Sequence, residues 1–113
     1  LVNKLYIEQG APISKEFYFS ILLDRISSRS MLIFSEAGGT SIEEVAASDP
    51  HKIFREIIDP VIGFQSFNGR KLAFSAGIEA KIVPKITALM EACYNAFVAL
   101  DATLIEINPL IIT

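Results

Sequence analysis

Cysteine and histidine are scarce in this chain of 113 residues, which contains one of each. Because a single thiol cannot form an internal disulfide or a cysteine metal cluster, Cys93 excludes a disulfide-stabilised scaffold and is compatible with a reducing compartment. His51 follows Asp49-Pro50, where the sequence places no carboxylate to fix its tautomer. We therefore do not interpret His51 as a phosphorylated nucleophile.

Long apolar runs are also absent, although apolar residues make up 51% of the chain and its mean hydropathy is +0.44. No run approaches the roughly 18 residues of a membrane-crossing helix, so the sequence predicts no membrane partner. Excess apolarity without such a run is typical of a piece whose faces are covered by another domain or subunit. The chain also starts at Leu1 and stops in the apolar stretch after Leu110, so we expect a fragment of a larger protein.

Positive charge is not in excess, because ten basic and 13 acidic residues are interspersed and give a net charge of −3. Such a chain has no cationic surface to attract a polyanion backbone, and we expect no nucleic acid partner. Gly38-Gly39 could form a phosphate-binding turn, but the Lys-Ser or Lys-Thr of a phosphate loop does not follow. We favour a strand-to-helix turn for this pair.

The apolar pattern predicts an α+β fold in which a mixed or antiparallel sheet contains a β-hairpin and carries helices on one face. Strands are predicted over residues 3–9, 16–24, 31–35 and 103–112, of which the second and third form the hairpin. Helices are predicted over residues 42–47, 70–76 and 82–100. Residues 61–69 are predicted to be a loop, residues 51–58 are ambiguous, and we expect the last strand to pair beside the hairpin.

Oxygen ligands interrupt the apolar pattern of the last predicted strand. Glu106 and Asn108 are two residues apart, so both project from the same face of an extended chain. A carboxylate beside an amide oxygen suits Mg²⁺. Asn108 could instead be a loop residue before Pro109, since a residue preceding proline is extended in any case. Glu106 lies inside an apolar strand and should therefore have a partner, because an unpaired buried carboxylate is costly.

Several motifs follow one another in a characteristic order along nearly the whole chain. They are Ile7-Glu8, Lys15-Glu16-Phe17-Tyr18, Ser35-Glu36-Ala37-Gly38-Gly39, Gly69-Arg70-Lys71-Leu72-Ala73-Phe74 and Ile105-Glu106-Ile107-Asn108-Pro109-Leu110. Their order and spacing resemble the nucleotide-binding region of succinyl-CoA synthetase beta subunits, which belong to the ATP-grasp superfamily. The resemblance implies that residues 1–113 are the C-terminal part of an ATP-grasp domain, without the N-terminal phosphate-gripping part and without the CoA-ligase domain.

Five residues match functional positions of that family. The resemblance implies that Asn108 holds Mg²⁺ and that Glu106, the catalytic residue, orients a phosphohistidine carried by the alpha subunit. Contacts to ATP or GTP are implied for Glu8, Ala11 and Glu16, with Ala11 acting through its backbone. On local sequence alone, a strand-end carboxylate and a solvated surface charge are the favoured interpretations of Glu8 and Glu16.

The activity that the resemblance implies is that of an acid–CoA ligase when full length. ATP or GTP, bound with Mg²⁺, is consumed or formed while succinate and CoA interconvert with succinyl-CoA. CoA is expected to bind elsewhere in the full enzyme. Implied partners are the alpha subunit and the rest of the beta subunit, in a bacterial cytoplasm or a mitochondrial matrix, and the isolated chain is expected to be inactive. Alternatives are a sister ligase, such as a malate–CoA ligase or an ADP-forming acetyl-CoA synthetase, and a non-catalytic interaction module.

Overall fold

Four antiparallel strands form one sheet with three α-helices packed against it in the computed structural model, which describes residues 1–113. The elements are β1 (Lys15–Asp24), β2 (Arg29–Ser35), α1 (Ile42–Ser48), a 3-10 turn (Pro50–Lys52), β3 (Ile53–Ile58), α2 (Ser66–Ser75), α3 (Val83–Ala99) and β4 (Leu104–Ile112). The strand order is β3-β2-β1-β4. β4 therefore pairs beside the hairpin, as predicted. None of the helices combines the length and the apolarity needed to cross a membrane.

Alternation along the hairpin gives the sheet two different faces. One face, which we call the core face, is lined by the buried side chains of Phe17, Phe19, Ile21, Leu32 and Phe34. These aromatic and branched side chains suit a pleated surface, which explains why the sequence forms strands here. The other face, which we call the second face, carries Tyr18 and Ser20 of β1.

The two longer helices cover the core face. α3 has Pro84 in its first turn, where proline is tolerated, and buries Ile86, Met90 and Phe97 at helical spacing. α2 packs against α3 so closely that a Cβ atom built on Gly69 would lie 2.9 Å from Thr87 Cγ2. The helices and the core face of the sheet thus enclose a single main core.

The short helix α1 packs on the opposite side of the sheet. Its buried residue Val45 contacts a small cluster that contains Tyr18, Ile33 and Ile53. Helices therefore lie on both faces, and the prediction of helices on one face holds for α2 and α3 but not for α1. The reason is the Gly38-Gly39 turn, which directs the chain from β2 onto the second face.

Two predicted elements differ from the structure. The strand predicted over residues 3–9 is wrong, because residues 1–14 form no regular element and regular pairing starts with the Ser14 N–H bond to the Ile112 carbonyl, at 2.7 Å. α2 begins at Ser66 and not at residue 70, so half of the predicted loop is helical. Its start is fixed by Asn68, whose Oδ1 accepts a hydrogen bond from the backbone N–H of Gln65 at 2.8 Å.

A buried carboxylate connects α2 to β3. Glu56 is 8% exposed and accepts hydrogen bonds from Asn68 Nδ2 at 2.9 Å and from Lys71 Nζ at 2.6 Å. Asn68 therefore caps the helix with its oxygen and anchors the helix to the sheet with its nitrogen.

Replacing Glu56 by alanine is expected to lower the free energy of unfolding by about 1–3 kcal/mol, because the buried Asn68 amide loses its acceptor. Lys71→Ala is the comparison variant, because it leaves Asn68 with its acceptor; since the Lys71 side chain is largely exposed, water can replace its bond to Glu56, and we expect a smaller loss. Urea denaturation of both variants measures the difference. Equal losses would contradict the anchoring role of the Glu56 and Asn68 pair.

Candidate functional site

The polar residues of β4 lie on the second face, beside β1 and the turn that precedes α1. The Glu106 side chain contacts Tyr18 of β1, and the Asn108 side chain contacts the backbone of the Gly38-Gly39 turn. Both side chains therefore share one face, as their spacing predicts. Leu104, Ile105 and Ile107 pair with Leu22, Ile21 and Phe19 of β1 and fix the register of the strand.

Asn108 is held in place by two hydrogen bonds to the backbone. Its Oδ1 accepts a bond from the Gly39 N–H at 2.8 Å, and its Nδ2 donates to the Thr40 carbonyl at 3.2 Å. The pairing of β1 and β4 is irregular at this point, since the register shifts between Phe17 and Phe19. Asn108 lies within β4, which does not fit its alternative interpretation as a loop residue.

The two glycines allow this turn to lie directly on β1. A Cβ atom on Gly38 would come within 2.5 Å of the Phe17 backbone nitrogen, which no other residue could accommodate without a shift. Gly39 has φ +73°, and a Cβ atom there would lie 2.9 Å from Glu16 Oε2. The Glu16 carboxylate and the Asn108 amide therefore meet at the same turn, which connects a strand to a helix as predicted.

The Glu106 carboxylate has a hydrogen-bond partner, as the sequence predicts, although Glu106 itself is not buried. It lies exposed on the edge strand β4, and the Tyr18 hydroxyl donates a hydrogen bond to its Oε2 at 2.9 Å. The expectation of a buried carboxylate is wrong because only one side of β4 is paired. Burial first, and then the Glu106 carboxylate, raise the pKa of the Tyr18 phenol, while the Ser20 hydroxyl opposes this shift.

Glu8 and Ala11 are not brought to this cluster. Both lie in the exposed irregular segment before β1, where Glu8 accepts a hydrogen bond from the Tyr6 hydroxyl at 3.1 Å. Their nucleotide contacts stay predictions. His51 Nε2 lies 3.8 Å from Asp49 Oδ1, so a carboxylate is nearby after all, but the distance is too long for a hydrogen bond and the imidazole is 76% exposed.

The cluster offers oxygen atoms and no cation. Asn108 Oδ1 and the carboxylates of Glu16 and Glu106 are the hard ligands that Mg²⁺ prefers. No group of three or more His, Cys, Asp or Glu side chains is placed to hold a metal by itself. An amide oxygen has two lone pairs, so Asn108 can bind a cation while it keeps the Gly39 bond. The residues therefore fit one part of a Mg²⁺ site whose other ligands come from outside the cluster.

Two concave regions lie near the end of the last strand: one, at the start of β1, is lined by Lys15, Glu16 and Glu36, and the other is an apolar cleft between α3 and the end of β4. The apolar cleft is lined by Ile82, Ile86, Leu89 and Leu110, and the cationic side chain of Lys85 also lines it. It contains none of the predicted site residues and lies on the core-face side of the sheet. Because its lining offers little polar chemistry, we assign the candidate site to the second face.

Sequence reasoning missed Tyr18 and Gly39 as members of the site. Tyr18 lies 88 residues before Glu106, and Gly39 lies 69 residues before Asn108, so no local pattern connects them. One sequence feature could have found Tyr18. It shares the period-two face of β1 with Glu16, which places a hydroxyl and a carboxylate on the same side of the strand.

Comparison with known proteins identifies the family to which the chain belongs. The family model for the ATP-grasp domain matches residues 1–112. The beta subunit of the ADP-forming succinate–CoA ligase of Myxococcus xanthus is 50% identical over 111 residues, and that of Geobacillus thermodenitrificans is 47% identical over 112 residues. The matches cover 98% and 99% of this chain, which spans 29% of the length of each relative.

A solved structure agrees at the level of the fold. The structure of ATP citrate lyase from Methanothrix soehngenii in complex with citrate and coenzyme A superposes with a TM-score of 0.69, at 19% identity. The match covers 94% of this chain and 22% of that one. The similarity to succinate–CoA ligase beta subunits that the motifs indicate is thus confirmed, and the chain belongs to the ATP-grasp domain family.

Proposed function

We propose that this chain forms the nucleotide- and Mg²⁺-binding part of a succinate–CoA ligase beta subunit. The observation that carries the proposal is the meeting of Asn108 and Glu16 at the Gly38-Gly39 turn, which gathers oxygen ligands at one point of the second face. Identity of 50% over 98% of the chain supports the same subunit type. With its alpha subunit, the full-length protein would couple ATP or GTP to the interconversion of succinate and CoA with succinyl-CoA.

Each polar group of the cluster has a distinct role in this proposal. Asn108 presents its free lone pair to Mg²⁺, which when bound neutralises charge on the phosphoryl group during transfer. Glu16 accepts hydrogen bonds from the nucleotide, and Glu8 and Ala11 are proposed to add contacts from the segment before β1. Glu106 accepts a hydrogen bond from the imidazole of a phosphohistidine on the alpha subunit and so fixes the orientation of that ring.

The isolated chain is expected to bind Mg-ATP with a dissociation constant in the millimolar range or weaker, which corresponds to about −4 kcal/mol or less favourable. Among Glu16, Glu106, Asn108 and the turn there is no cationic side chain to attract the phosphates, and Asn108 is the one metal ligand that we assign. Calorimetric titration with ATP and Mg²⁺ measures this affinity. Micromolar binding that Asn108→Ala abolishes would show that the chain holds a complete site.

The function itself is tested with the full-length beta subunit assembled with its alpha subunit. We expect succinyl-CoA to form from succinate, CoA and ATP or GTP, with incorporation of phosphate into the alpha subunit. Malate and acetate serve as competing substrates. A clear preference for either would identify a sister ligase, and no turnover with any acid would favour the non-catalytic module.

A further inference from the structure

The Tyr18 hydroxyl donates the hydrogen bond that the Glu106 carboxylate receives within the chain, at 2.9 Å to Oε2. We propose that Tyr18 is a positioning residue for the phosphoryl transfer, because this bond orients Glu106 toward the imidazole that exchanges the phosphoryl group. The inference rests on the proposed function, in which Glu106 contacts that imidazole. It assigns a role to Tyr18, for which the sequence alone predicts no function although it belongs to the Lys15-Glu16-Phe17-Tyr18 motif.

The two partners differ in how firmly the fold holds them. Tyr18 belongs to β1, which is paired on both sides by β2 and β4, and the residue is 4% exposed. Its ring packs against Ile33, Ile53 and Val45 of α1. Glu106 instead lies exposed on the edge strand β4, where its side chain has rotational freedom. A fixed donor therefore restrains a carboxylate that the backbone alone does not restrain.

The geometry also leaves one oxygen of the Glu106 carboxylate free to bind the imidazole. The hydroxyl engages Oε2, so Oε1 of Glu106 remains available to accept a hydrogen bond from an imidazole N–H. The phenol is the donor of this bond, since the carboxylate can only accept a hydrogen bond. Preorganisation by such a supporting hydrogen bond is how enzymes hold reacting groups in a productive orientation.

Tyr18→Phe removes the hydroxyl and keeps the packed ring. In the full-length beta subunit assembled with its alpha subunit, we expect the rate of phosphohistidine formation from ATP to fall roughly tenfold, the effect that one hydrogen bond to a charged group can supply. The KM for the nucleotide should not change, because Tyr18 does not contact it. Rapid-quench measurement with labelled ATP, together with steady-state kinetics, separates the two effects.

Tyr94→Phe is the matched control. Tyr94 is also a buried tyrosine, but it packs against Phe64 on the core side of the molecule, and its hydroxyl makes no hydrogen bond. This variant should transfer phosphate at the rate of the unchanged protein. An equal loss of rate in both variants would overturn the proposal, because it would reveal a general effect of removing a tyrosine hydroxyl.

A double-mutant cycle with Glu106→Ala distinguishes the inference from the function on which it rests. We expect Glu106→Ala to be slow and the double variant with Tyr18→Phe to be no slower, because the hydroxyl acts only through the carboxylate. A fast Glu106→Ala variant would overturn the proposed role of Glu106 itself. A slow Glu106→Ala variant with a fully active Tyr18→Phe variant would overturn the positioning role alone.

Discussion

Replacing Asn108 by alanine in the full-length protein is expected to lower the catalytic rate on the order of 10²-fold, the usual effect of removing one preorganised electrostatic contact. The substitution removes the amide oxygen proposed to hold Mg²⁺. It also removes the two hydrogen bonds that hold the Gly38-Gly39 turn beside Glu16. Steady-state kinetics at saturating Mg²⁺ measure the catalytic constant, and a Mg²⁺ titration measures the requirement for the metal.

Asn108→Asp distinguishes the loss of the metal ligand from the loss of the hydrogen bonds that hold the turn. An aspartate keeps an oxygen for the metal and for the Gly39 N–H, but it cannot donate to the Thr40 carbonyl. We expect this variant to keep much more activity than Asn108→Ala. Equal losses would assign the effect to the turn, and an unchanged catalytic constant in the alanine variant would eliminate Asn108 as a ligand.

Replacing Phe34 by alanine is expected to lower the free energy of unfolding by about 3–5 kcal/mol. Phe34 is fully buried at the centre of the core face. Its ring stacks on Phe17 with centroids 5.3 Å apart and meets Phe19 edge-on at 6.4 Å. The loss is large compared with the total stability of about 5–15 kcal/mol that is typical of a domain. Denaturant unfolding monitored by circular dichroism measures it.

Phe74→Ala is the control for this experiment. Phe74 lies on the outer side of α2 and is 57% exposed, so the same deletion of a ring should change the free energy of unfolding by about 0.5 kcal/mol or less. A loss of about 0.5 kcal/mol or less in both variants would show that the core face is not the main source of stability. A loss of about 3–5 kcal/mol in both would show that the exposed side of α2 is covered in the folded protein.

The fold was predictable where a single segment contained the whole pattern. The hairpin of β1 and β2, the helix α3 and the strand β4 each follow from apolar periodicity within their own residues. The start of α2 did not, because it depends on Asn68, which is stabilised by Glu56 from another element. The strand predicted over residues 3–9 failed because an extended segment needs a neighbouring strand, and its own sequence cannot show whether one is there.

The site, like the fold, was predictable only where a single segment contained the pattern. The pair of Glu106 and Asn108 follows from the period of a strand, and the family resemblance adds their roles. The contacts of Tyr18 and Gly39 depend on β1 lying next to β4 and on a turn folding back over β1. Those are properties of strand order, which connects residues about 70 to 90 positions apart. Glu8 and Ala11 remain predictions that rest on resemblance alone.

Successive side chains of β1 point to opposite faces of the sheet, so the residues that form the main core are not those that lie at the candidate site. Phe17, Phe19 and Ile21 point to the core face, whereas Glu16 and Tyr18 lie at the candidate site on the second face. A substitution of Glu16 can therefore change the polar surface of the second face without touching the main core, whereas a substitution of Tyr18 also affects the small cluster with Val45. An insertion or deletion of one residue would instead exchange the two sets and lose both properties at once. A library that seeks new specificity should vary residue identity in β1 and keep its length unchanged.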